Sequence, residues 1–460
     1  MRQLISILTL PLLATGMLPA ADWPQRQGNP QRTGYTTDSP QPPYGIAWTY
    51  YFPDDDEKVY AQCQPVIYQN RVYVGTKMGS LYCFDADTGK VVWKWKQAKG
   101  PILNAAACAD GKVVFSCLDG FVRALDAASG KPAWEFNGGI HGFSTAPCLA
   151  DGKVFVGSRE GVFYCLALAT GETLWKRDMG SYIECSAAWN DGRVFFGTED
   201  LVFHCLDAAD GKSLWKSRRL YGVSFKNLFP VVHGGKVVAR TYCADNPILM
   251  PSAPAEIMAA RAQGKFIDVP ADVSDMFRRS LRERPTQQCF FVFDEKTGEE
   301  PYIACHNRGG TNGGLAAPPC VDADGNWYIA LAGDWRRGKT GLVFATIDPE
   351  TGRFGKYIHA RGNPDEQENF SVGGNILFIS EQEDGGAGVH CAFDLRTAKQ
   401  LGIPSSGGWL GPLGYDAEEA GGHAYAISGD RFYHISFHTL ACRKGPVETP
   451  SPRRRRGNRQ

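Results

Sequence analysis

The segment Leu81-Tyr-Cys-Phe-Asp-Ala-Asp-Thr-Gly-Lys-Val-Val-Trp93 indicates the type of fold, because it recurs along the chain. It returns as Val122-Arg-Ala-Leu-Asp-Ala-Ala-Ser-Gly-Lys-Pro-Ala-Trp134, and two further copies end at Trp175 and Trp215. The four tryptophans are 41, 41 and 40 residues apart. This period is typical of a four-stranded blade in a β-propeller.

The turns within each unit support the same fold. Asp-Gly pairs at 110–111, 151–152 and 191–192 stand between alternating apolar runs and predict two-residue hairpins. The Thr-Gly position extends the count to eight units, at Gly89, Gly130, Gly171, Gly211, Gly298, Gly352 and two degenerate copies, Thr397-Ala398 and Thr439-Leu440. The sequence therefore predicts an all-β, eight-bladed β-propeller of four-stranded antiparallel blades.

The two ends of the chain complement each other. The eighth unit stops after the strand at 431–437, which we assign as its third, and no Trp strand follows. Gly45–Tyr51 resembles that missing strand, and its Trp48 precedes Trp93 by 45 residues. We expect this N-terminal strand to complete the last blade, because an unclosed ring would expose strand edges.

The composition and the two ends of the chain indicate where the protein acts and which partners it does not bind. The 460 residues carry 49 basic and 49 acidic side chains, which argues against nucleic-acid binding by bulk charge. Residues 1–20 have the pattern of a secretory signal peptide cleaved near Ala20, with a retained anchor as the alternative. No later stretch is long and apolar enough to span a bilayer. We expect a periplasmic or secreted monomer with one propeller domain, 21–442, and a disordered basic tail, 443–460.

The repeated pattern Asp-x-x-Thr-Gly-x-x-x-Trp, seen from Asp85 to Trp93, resembles the tryptophan-docking repeat of the pyrroloquinoline quinone-like eight-bladed propellers. The resemblance covers nearly all of the mature chain and weakens after the fourth unit, where Tyr302, Lys356 and Gly402 occupy the Trp position. The family includes quinoprotein dehydrogenases and an outer-membrane-protein assembly propeller. Fold follows from such a match more safely than function does.

The residues repeated once per blade have a structural interpretation. Each Trp is expected to cap the apolar space between two blades, and each Asp to fix the following turn by hydrogen bonds. A cofactor box or a line of catalytic acids is the alternative. The residues concerned are Trp48, Trp93, Trp134, Trp175, Trp215, Asp85, Asp126, Asp207 and Asp294.

Ligand-binding residues are expected on one face of the ring, which holds the turns between second and third strands and the blade-to-blade connections. The family's ligands usually bind on that side. An Arg beside an exposed Trp suits a carboxylate, sugar or peptide, although solvated loop residues are the alternative. The candidates are His141, Tyr182, His306, Arg308, Trp335 and Arg336.

An enzymatic role meets specific objections. The resemblance implies that a quinoprotein dehydrogenase would use two adjacent cysteines and a calcium ion beside the quinone, and this chain has no adjacent cysteines. It also lacks the motifs of hydrolases, zinc proteases and phosphate loops. We therefore expect a non-catalytic scaffold without a cofactor or metal, which binds an envelope or extracellular protein or a polysaccharide. The alternative is a dehydrogenase that oxidises an alcohol or sugar with pyrroloquinoline quinone and calcium.

The fifth unit carries an insertion at about 244–288. Its composition predicts helices at 254–263 and 273–284, which we expect to form a cap on the ligand-side face, with a disordered excursion as the alternative. Alignment with the fourth unit places Cys243 and Cys289 on facing strand ends, which suggests a disulfide at the base of the insertion. The other cysteines, such as Cys83, Cys165 and Cys205, recur inside strands and resemble buried thiols.

Overall fold

The computed structural model describes residues 20–53, 57–60, 62–243, 266–268, 271–305, 315–316, 318–332, 342–359, 367–368, 370–382, 388–399, 401, 425–435 and 438–447. Its sheets form the eight blades of a closed β-propeller, as the repeat predicts. The innermost strand of the first blade lies beside those of the second and the eighth. Among the described residues, no helix is both long and apolar enough to cross a membrane.

The first four blades each contain four antiparallel strands in sequence order, from the axis outward. Blade one contains β3 (Val66–Tyr68), β4 (Arg71–Gly75), β5 (Ser80–Asp85) and β6 (Val91–Lys96). Blade two contains β7 (Ala107–Ala109), β8 (Lys112–Ser116), β9 (Phe121–Asp126) and β10 (Pro132–Asn137). Blade three contains β11 (Cys148–Ala150), β12 (Lys153–Gly157), β13 (Val162–Ala167) and β14 (Thr173–Asp178). Blade four contains β15 (Ala188–Asn190), β16 (Arg193–Thr198), β17 (Val202–Asp207) and β18 (Ser213–Arg219).

The later blades are less regular. Blade five contains β19 (Val231–His233), β20 (Lys236–Arg240) and β22 (Phe290–Asp294). Blade six contains β24 (Cys320–Val321), β25 (Trp327–Ala332), β26 (Leu342–Ile347) and β27 (Phe354–His359), with β21 (Ile267–Asp268) added at its outer edge. Blade seven contains β29 (Ser371–Gly373), β30 (Ile376–Gln382) and β31 (Gly388–Asp394), and β1 (Tyr35–Thr36) lies parallel to its innermost strand. Two short strands, β23 (Leu315–Ala316) and β28 (Gln367–Glu368), pair with each other outside these blades.

Blade eight is completed by the N-terminal strand. It contains β32 (Ala426–Ser428), β33 (Arg431–Ile435) and β34 (Thr439–Lys444), and β2 (Gly45–Tyr51) pairs antiparallel with β34. The closure is as predicted, but the strand assignment was wrong. The strand at Arg431 is the second of the blade, and Thr439–Lys444, assigned partly to a turn and partly to the tail, is its third.

The hairpins within blades follow from the Asp-Gly pairs. Asp110 and Gly111 have φ values of 48° and 71°, so both central residues of the turn are in the left-handed region. Two-residue hairpins require this backbone, because its twist matches that of the flanking strands. Cys83, Cys165 and Cys205, which lie on the third strands of their blades, are fully buried.

The N-terminal segment 21–39 runs around the axis inside the ring of innermost strands. It hydrogen-bonds to one blade after another in chain order and returns to its own start. The repeat pattern of the sequence does not predict this arrangement. The contacts are Trp23 with Ile67, Pro24 O with Cys108 N, Gln25 with Leu149, Pro30 O with Trp189 N, Gln31 O with Val232 N, Thr33 O with Val321 N, Gly34 O with Val372 N, and Asp38 with Gly429 N.

The insertion in blade five contains the helix α1 (Ala271–Glu283), close to the second predicted helix. Its buried Phe277 packs edge-on against Phe354, the first residue of β27, with ring centroids 5.3 Å apart. Ser274 Oγ accepts a hydrogen bond from Phe354 N at 3.2 Å. The Arg278 guanidinium donates to Thr351 O, in the Thr-Gly turn of blade six.

These contacts correct the predicted position of the insertion. The Thr-Gly turn precedes the outer strand of a blade, whereas the blade-to-blade connection follows that strand, so the two lie on opposite faces. The helix α1 therefore packs at the rim beside the Thr-Gly turn of blade six, and does not cap the face of the connections. The first predicted helix, 254–263, lies outside the described residues.

Candidate functional site

Blade-to-blade connections and second turns meet on one face, as the sequence predicts. The connections 138–147, 179–187 and 220–230 follow blades two, three and four, and they contact the turns of the next blade. His141 N donates to Glu160 Oε1 at 3.2 Å, and Glu199 N donates to Tyr182 O at 2.9 Å. We call this surface the connector face. It brings the predicted candidates His141 and Tyr182 onto neighbouring blades, with both side chains exposed.

Each of the three connections exposes a large apolar side chain. Ile140 is 88% exposed, Tyr182 62% and Val223 60%. One or more residues further along, each connection contains a second apolar side chain, which is buried and anchors the loop. These anchors are Phe143, Ile183 and Phe225. The anchors fix the loops to the blades, so the exposed side chains are presented from a held backbone. We refer to Ile140, Tyr182 and Val223 as the apolar patch.

Polar contacts tie these loops to one another. Glu199 accepts hydrogen bonds from Ser224 Oγ at 2.6 Å and from Phe225 N at 3.2 Å. Burial raises the pKa of Glu199, although those two hydrogen bonds act against the rise. On the neighbouring blade, Arg159 forms an ion pair with Glu184 at 3.2 Å. The carboxylates below the patch therefore already have partners within the protein.

The guanidinium of Arg26 forms the floor of the site near the axis. It donates to Asn104 Oδ1 and Asn227 O, both at 2.9 Å, and lies 3.4 Å from Ser186 Oγ. These partners belong to blades two, five and four, so a side chain that reaches all three must lie close to the axis. Burial and then the charge of Arg32 lower the pKa of Arg26 to about 9.

A second buried guanidinium lies beside the first. Arg32 is fully buried and donates to three backbone carbonyls, those of Ala187, Arg26 and Pro147. Burial also lowers the pKa of Arg32. Among the described residues, neither arginine forms a salt bridge with a carboxylate. Two fixed positive charges thus stand at the centre of the ring, held by amide, hydroxyl and carbonyl oxygens.

This donor set does not fit a calcium ion. Calcium needs several free carboxylate and carbonyl oxygens, and the part of the chain that the structure describes has no cluster of three metal-binding side chains. Glu184 and Glu199 are already bonded within the protein. A divalent cation would in addition meet the positive charge of Arg26, which is buried where screening by water is weak.

The other four predicted ligand-binding residues cannot be placed on this face. The side chains of His306, Arg308, Trp335 and Arg336 lie outside the described residues. The sequence pattern did not predict a place in the site for Arg26, Asn104, Ser186, Asn227, Ile140 or Val223. Arg26 follows the segment Asp22-Trp-Pro-Gln25, which belongs to no repeat.

The repeated tryptophans join neighbouring blades. Each indole N–H donates to a backbone carbonyl of the following blade, as in the 3.1 Å bond from Trp93 Nε1 to Ala127 O. The same ring lies over the glycine of the next Thr-Gly turn. The remaining donor and acceptor pairs are Trp48 with Ala86, Trp134 with Leu168, Trp175 with Ala208, and Trp215 with Glu295. At the sixth position Tyr302 takes the place of Trp and donates to Pro349 O.

The repeated aspartates hold the turns that follow the third strands. Asp85 Oδ1 accepts hydrogen bonds from Thr88 N at 3.0 Å and from Thr88 Oγ1 at 2.8 Å. Asp126 and Asp294 make the equivalent pair of bonds with Ser129 and Thr297. Asp207 accepts a hydrogen bond from Ala209 N at 2.7 Å. These carboxylates act on the local backbone, away from the connector face.

The disulfide between Cys243 and Cys289 is not formed in this structure. Arg240 pairs with Phe290, and Thr241 N then donates to Cys289 O, so the strand register places Cys289 opposite Thr241. Cys243 lies two residues further along, and its Sγ contacts Gln287 O at 3.7 Å. Residues offset by two are diagonal neighbours, about 7–8 Å apart, which exceeds the reach of a disulfide.

Comparison with known proteins agrees with the repeat and the fold. The family model described as outer membrane protein assembly factor BamB matches residues 45–146 and 118–245. No curated protein matches the chain in sequence.

Several solved structures share the fold at low sequence identity. BamB from Moraxella catarrhalis is 13% identical, with a TM-score of 0.55, over 87% of this chain and 100% of that one. The quinohemoprotein alcohol dehydrogenase from Comamonas testosteroni is 15% identical, with a TM-score of 0.56, over 94% and 82%. A europium-containing methanol dehydrogenase is 12% identical, with a TM-score of 0.58, over 92% and 98%.

Proposed function

Because the chain belongs to the eight-bladed β-propellers with pyrroloquinoline quinone-like repeats, we propose that it is a non-catalytic scaffold that binds a protein through its connector face. The apolar patch carries this proposal. Three successive connections each present a large apolar side chain to solvent, and exposed apolar surface on a held backbone is typical of interaction sites. The family model named for an outer membrane assembly factor supports the same class of function.

The chemistry of the patch favours a protein partner over a polysaccharide. Ile140 and Val223 offer only apolar contact, whereas a sugar would need several hydrogen-bonding groups besides an aromatic ring. Tyr182 could stack on a sugar, but it also suits the buried centre of a protein interface. The partner proposed is a protein of the envelope or the extracellular space, reached after export with the signal peptide removed near Ala20.

Substitution of the patch tests the proposal. We expect the triple variant Ile140→Ser, Tyr182→Ser, Val223→Ser to lose at least about tenfold in capture of a specific envelope protein, since three apolar contacts are removed. The matched control is Leu174→Ser with Leu214→Ser, because these leucines are 52% and 47% exposed on the outer strands. Quantitative mass spectrometry of captured proteins is the measurement. Equal capture by the wild type and the patch variant would contradict the proposal.

The dehydrogenase alternative rests on the structural likeness to quinoprotein enzymes. The engaged carboxylates and the buried Arg26 weigh against it. Absorption and mass spectra of natively purified protein distinguish the two functions. A quinone bound at one per chain, together with alcohol oxidation, would favour the enzyme. Protein without a quinone that still captures its partner through the patch would favour the scaffold.

A further inference from the structure

The N-terminal segment 21–39 closes on itself after a full turn around the axis. Ala21 N lies 2.7 Å from Asp38 Oδ2, although 17 residues separate the two. The same carboxylate oxygen accepts a hydrogen bond from Gly429 N of blade eight at 2.5 Å. One aspartate thus joins the first residue of the segment, its last turn and the final blade.

The chain is held in place from Ala21 onward. Asp22 Oδ1 accepts a hydrogen bond from Gln69 N at 2.9 Å, and Trp23 exchanges two backbone hydrogen bonds with Ile67, both of 2.9 Å. Trp23 is fully buried, whereas Ala20 is exposed. The boundary between exposed and anchored chain therefore falls at the peptide bond between Ala20 and Ala21.

We propose that hydrolysis of the Ala20–Ala21 bond is a maturation step that creates an ion pair between the new α-ammonium group of Ala21 and the carboxylate of Asp38. Water adds across the peptide bond, so Ala20 leaves with the carboxylate and the nitrogen of Ala21 becomes an amine that takes up a proton. A peptidase that removes the signal peptide performs the cut, because Ala20 is a small residue directly before the bond, as at the cleavage sites of signal peptides.

The geometry gives the cut a structural consequence. In the uncut chain the nitrogen of Ala21 offers Asp38 one neutral N–H. After the cut the same nitrogen carries a positive charge at the same place, and charge-assisted hydrogen bonds are shorter and about twice as strong as neutral ones. Removing the leader would thus lock the segment around the axis. This proposal is independent of the partner bound by the connector face.

Mass spectrometry tests the cleavage before Ala21, and hydrogen exchange tests the ion pair with Asp38. We expect the exported protein to begin at Ala21. We also expect amides in 21–39 to exchange about tenfold faster than in the mature protein when two residues are added before Ala21. The Asp38→Asn variant should show the same acceleration, because each change removes the same charged hydrogen bond. Asn at position 38 retains an acceptor for Gly429 N, so the propeller should still fold. Peptides from β12 and β13 serve as the internal reference.

Combining the extension with Asp38→Asn distinguishes loss of the ion pair between Ala21 and Asp38 from a general destabilisation of the segment. The extension and Asp38→Asn together should be no faster than either alone, since they remove one interaction. Asp22→Asn is the matched control, because Asp22 binds Gln69 N and not the terminus, so its effect should add to that of the extension. A terminus other than Ala21, or additive effects of the extension and Asp38→Asn, would overturn the proposal.

Discussion

At the scale of single residues, the repeat reduces to an indole ring lying over a glycine. An added Cβ at Gly130 would be 2.6 Å from the ring of Trp93, and φ at this position is +69°. Gly111 has a φ of +71°, but an added Cβ there meets nothing within 4 Å. The two glycines therefore have the same backbone conformation and differ in the space around them.

This difference gives the first prediction. Gly130→Ala and Gly111→Ala should both lose about 1 kcal/mol to the left-handed backbone. Gly130→Ala should lose a further 1–3 kcal/mol, because the methyl group displaces the indole from the next blade. Urea unfolding of the two variants measures the difference. Equal destabilisation would show that contact between Trp93 and Gly130 contributes little to the joining of blades.

Glu57 is a second residue whose surroundings predict a measurable effect. It belongs to the acidic run 54–57 and is buried, with hydrogen bonds from Thr76 Oγ1 at 2.7 Å and Lys94 Nζ at 2.8 Å. Burial by itself raises the pKa of Glu57, but bonds from Lys94, Thr76 and Ser80 outweigh it and leave the pKa lowered.

A lowered pKa in the folded state makes stability depend on pH. The contribution of Glu57 is complete above its unfolded pKa, about 4, and is lost as the pH falls through the folded pKa. Glu57→Gln should therefore melt below the wild type at pH 7, and the two melting temperatures should converge in acid. Thermal melts from pH 7 to pH 3 provide the test, with the exposed Glu172→Gln as the control. A difference in melting temperature that stays constant with pH would contradict a lowered pKa of Glu57 in the folded protein.

At the scale of elements, strands and turns were predictable because their signals are local. An Asp-Gly pair and alternating apolar residues fix a hairpin within about ten residues, and the repeat supplies independent copies. The insertion has no copy within the chain. Its helix was predictable from composition, but its position was not, because contacts with Phe354 and Thr351 in the next blade decide where it packs.

The packing of α1 yields the third prediction. Phe277 is fully buried against Phe354, whereas its neighbour Met276 is 37% exposed. Phe277→Ala should destabilise the protein by about 3–4 kcal/mol, because it leaves a cavity between blades five and six. Met276→Ala should change stability by less than about 1 kcal/mol. Denaturant unfolding compares the two, and limited proteolysis within α1 should speed up for Phe277→Ala alone. Equal effects would mean that α1 does not pack at the rim.

At the scale of the whole molecule, the candidate site was predictable only in outline. The register of the repeats places His141 and Tyr182 on one face, since blade order fixes which turns share it. The exposure of Ile140 and Val223 depends on connections that vary in length and sequence. The position of Arg26 depends on a segment that circles the axis, and its contacts lie up to 201 residues away along the chain. Such non-local contacts leave no periodic trace in the sequence.

The segment 21–39 gives the last prediction, which concerns the cooperativity of the ring. Innermost strands contact those of the neighbouring blades, whereas this segment hydrogen-bonds to the innermost strands in turn around the ring and buries Arg26 and Arg32 between them. A chain beginning at Pro40 keeps β2 and all eight blades, so the propeller should still form. It would leave several buried N–H and C=O groups without partners, each costing about 1–3 kcal/mol.

We therefore expect this shortened chain to melt more than about 10 °C below the mature protein, and to unfold in more than one step, because it lacks the segment 21–39 that contacts distant blades. Differential scanning calorimetry measures both quantities through the ratio of calorimetric to van't Hoff enthalpy. A synthetic peptide of residues 21–39, added in trans, should raise the melting temperature again, and a peptide carrying Arg32→Met should restore less. If the shortened chain shows a single transition at the melting temperature of the mature protein, the blades unfold cooperatively without the segment 21–39.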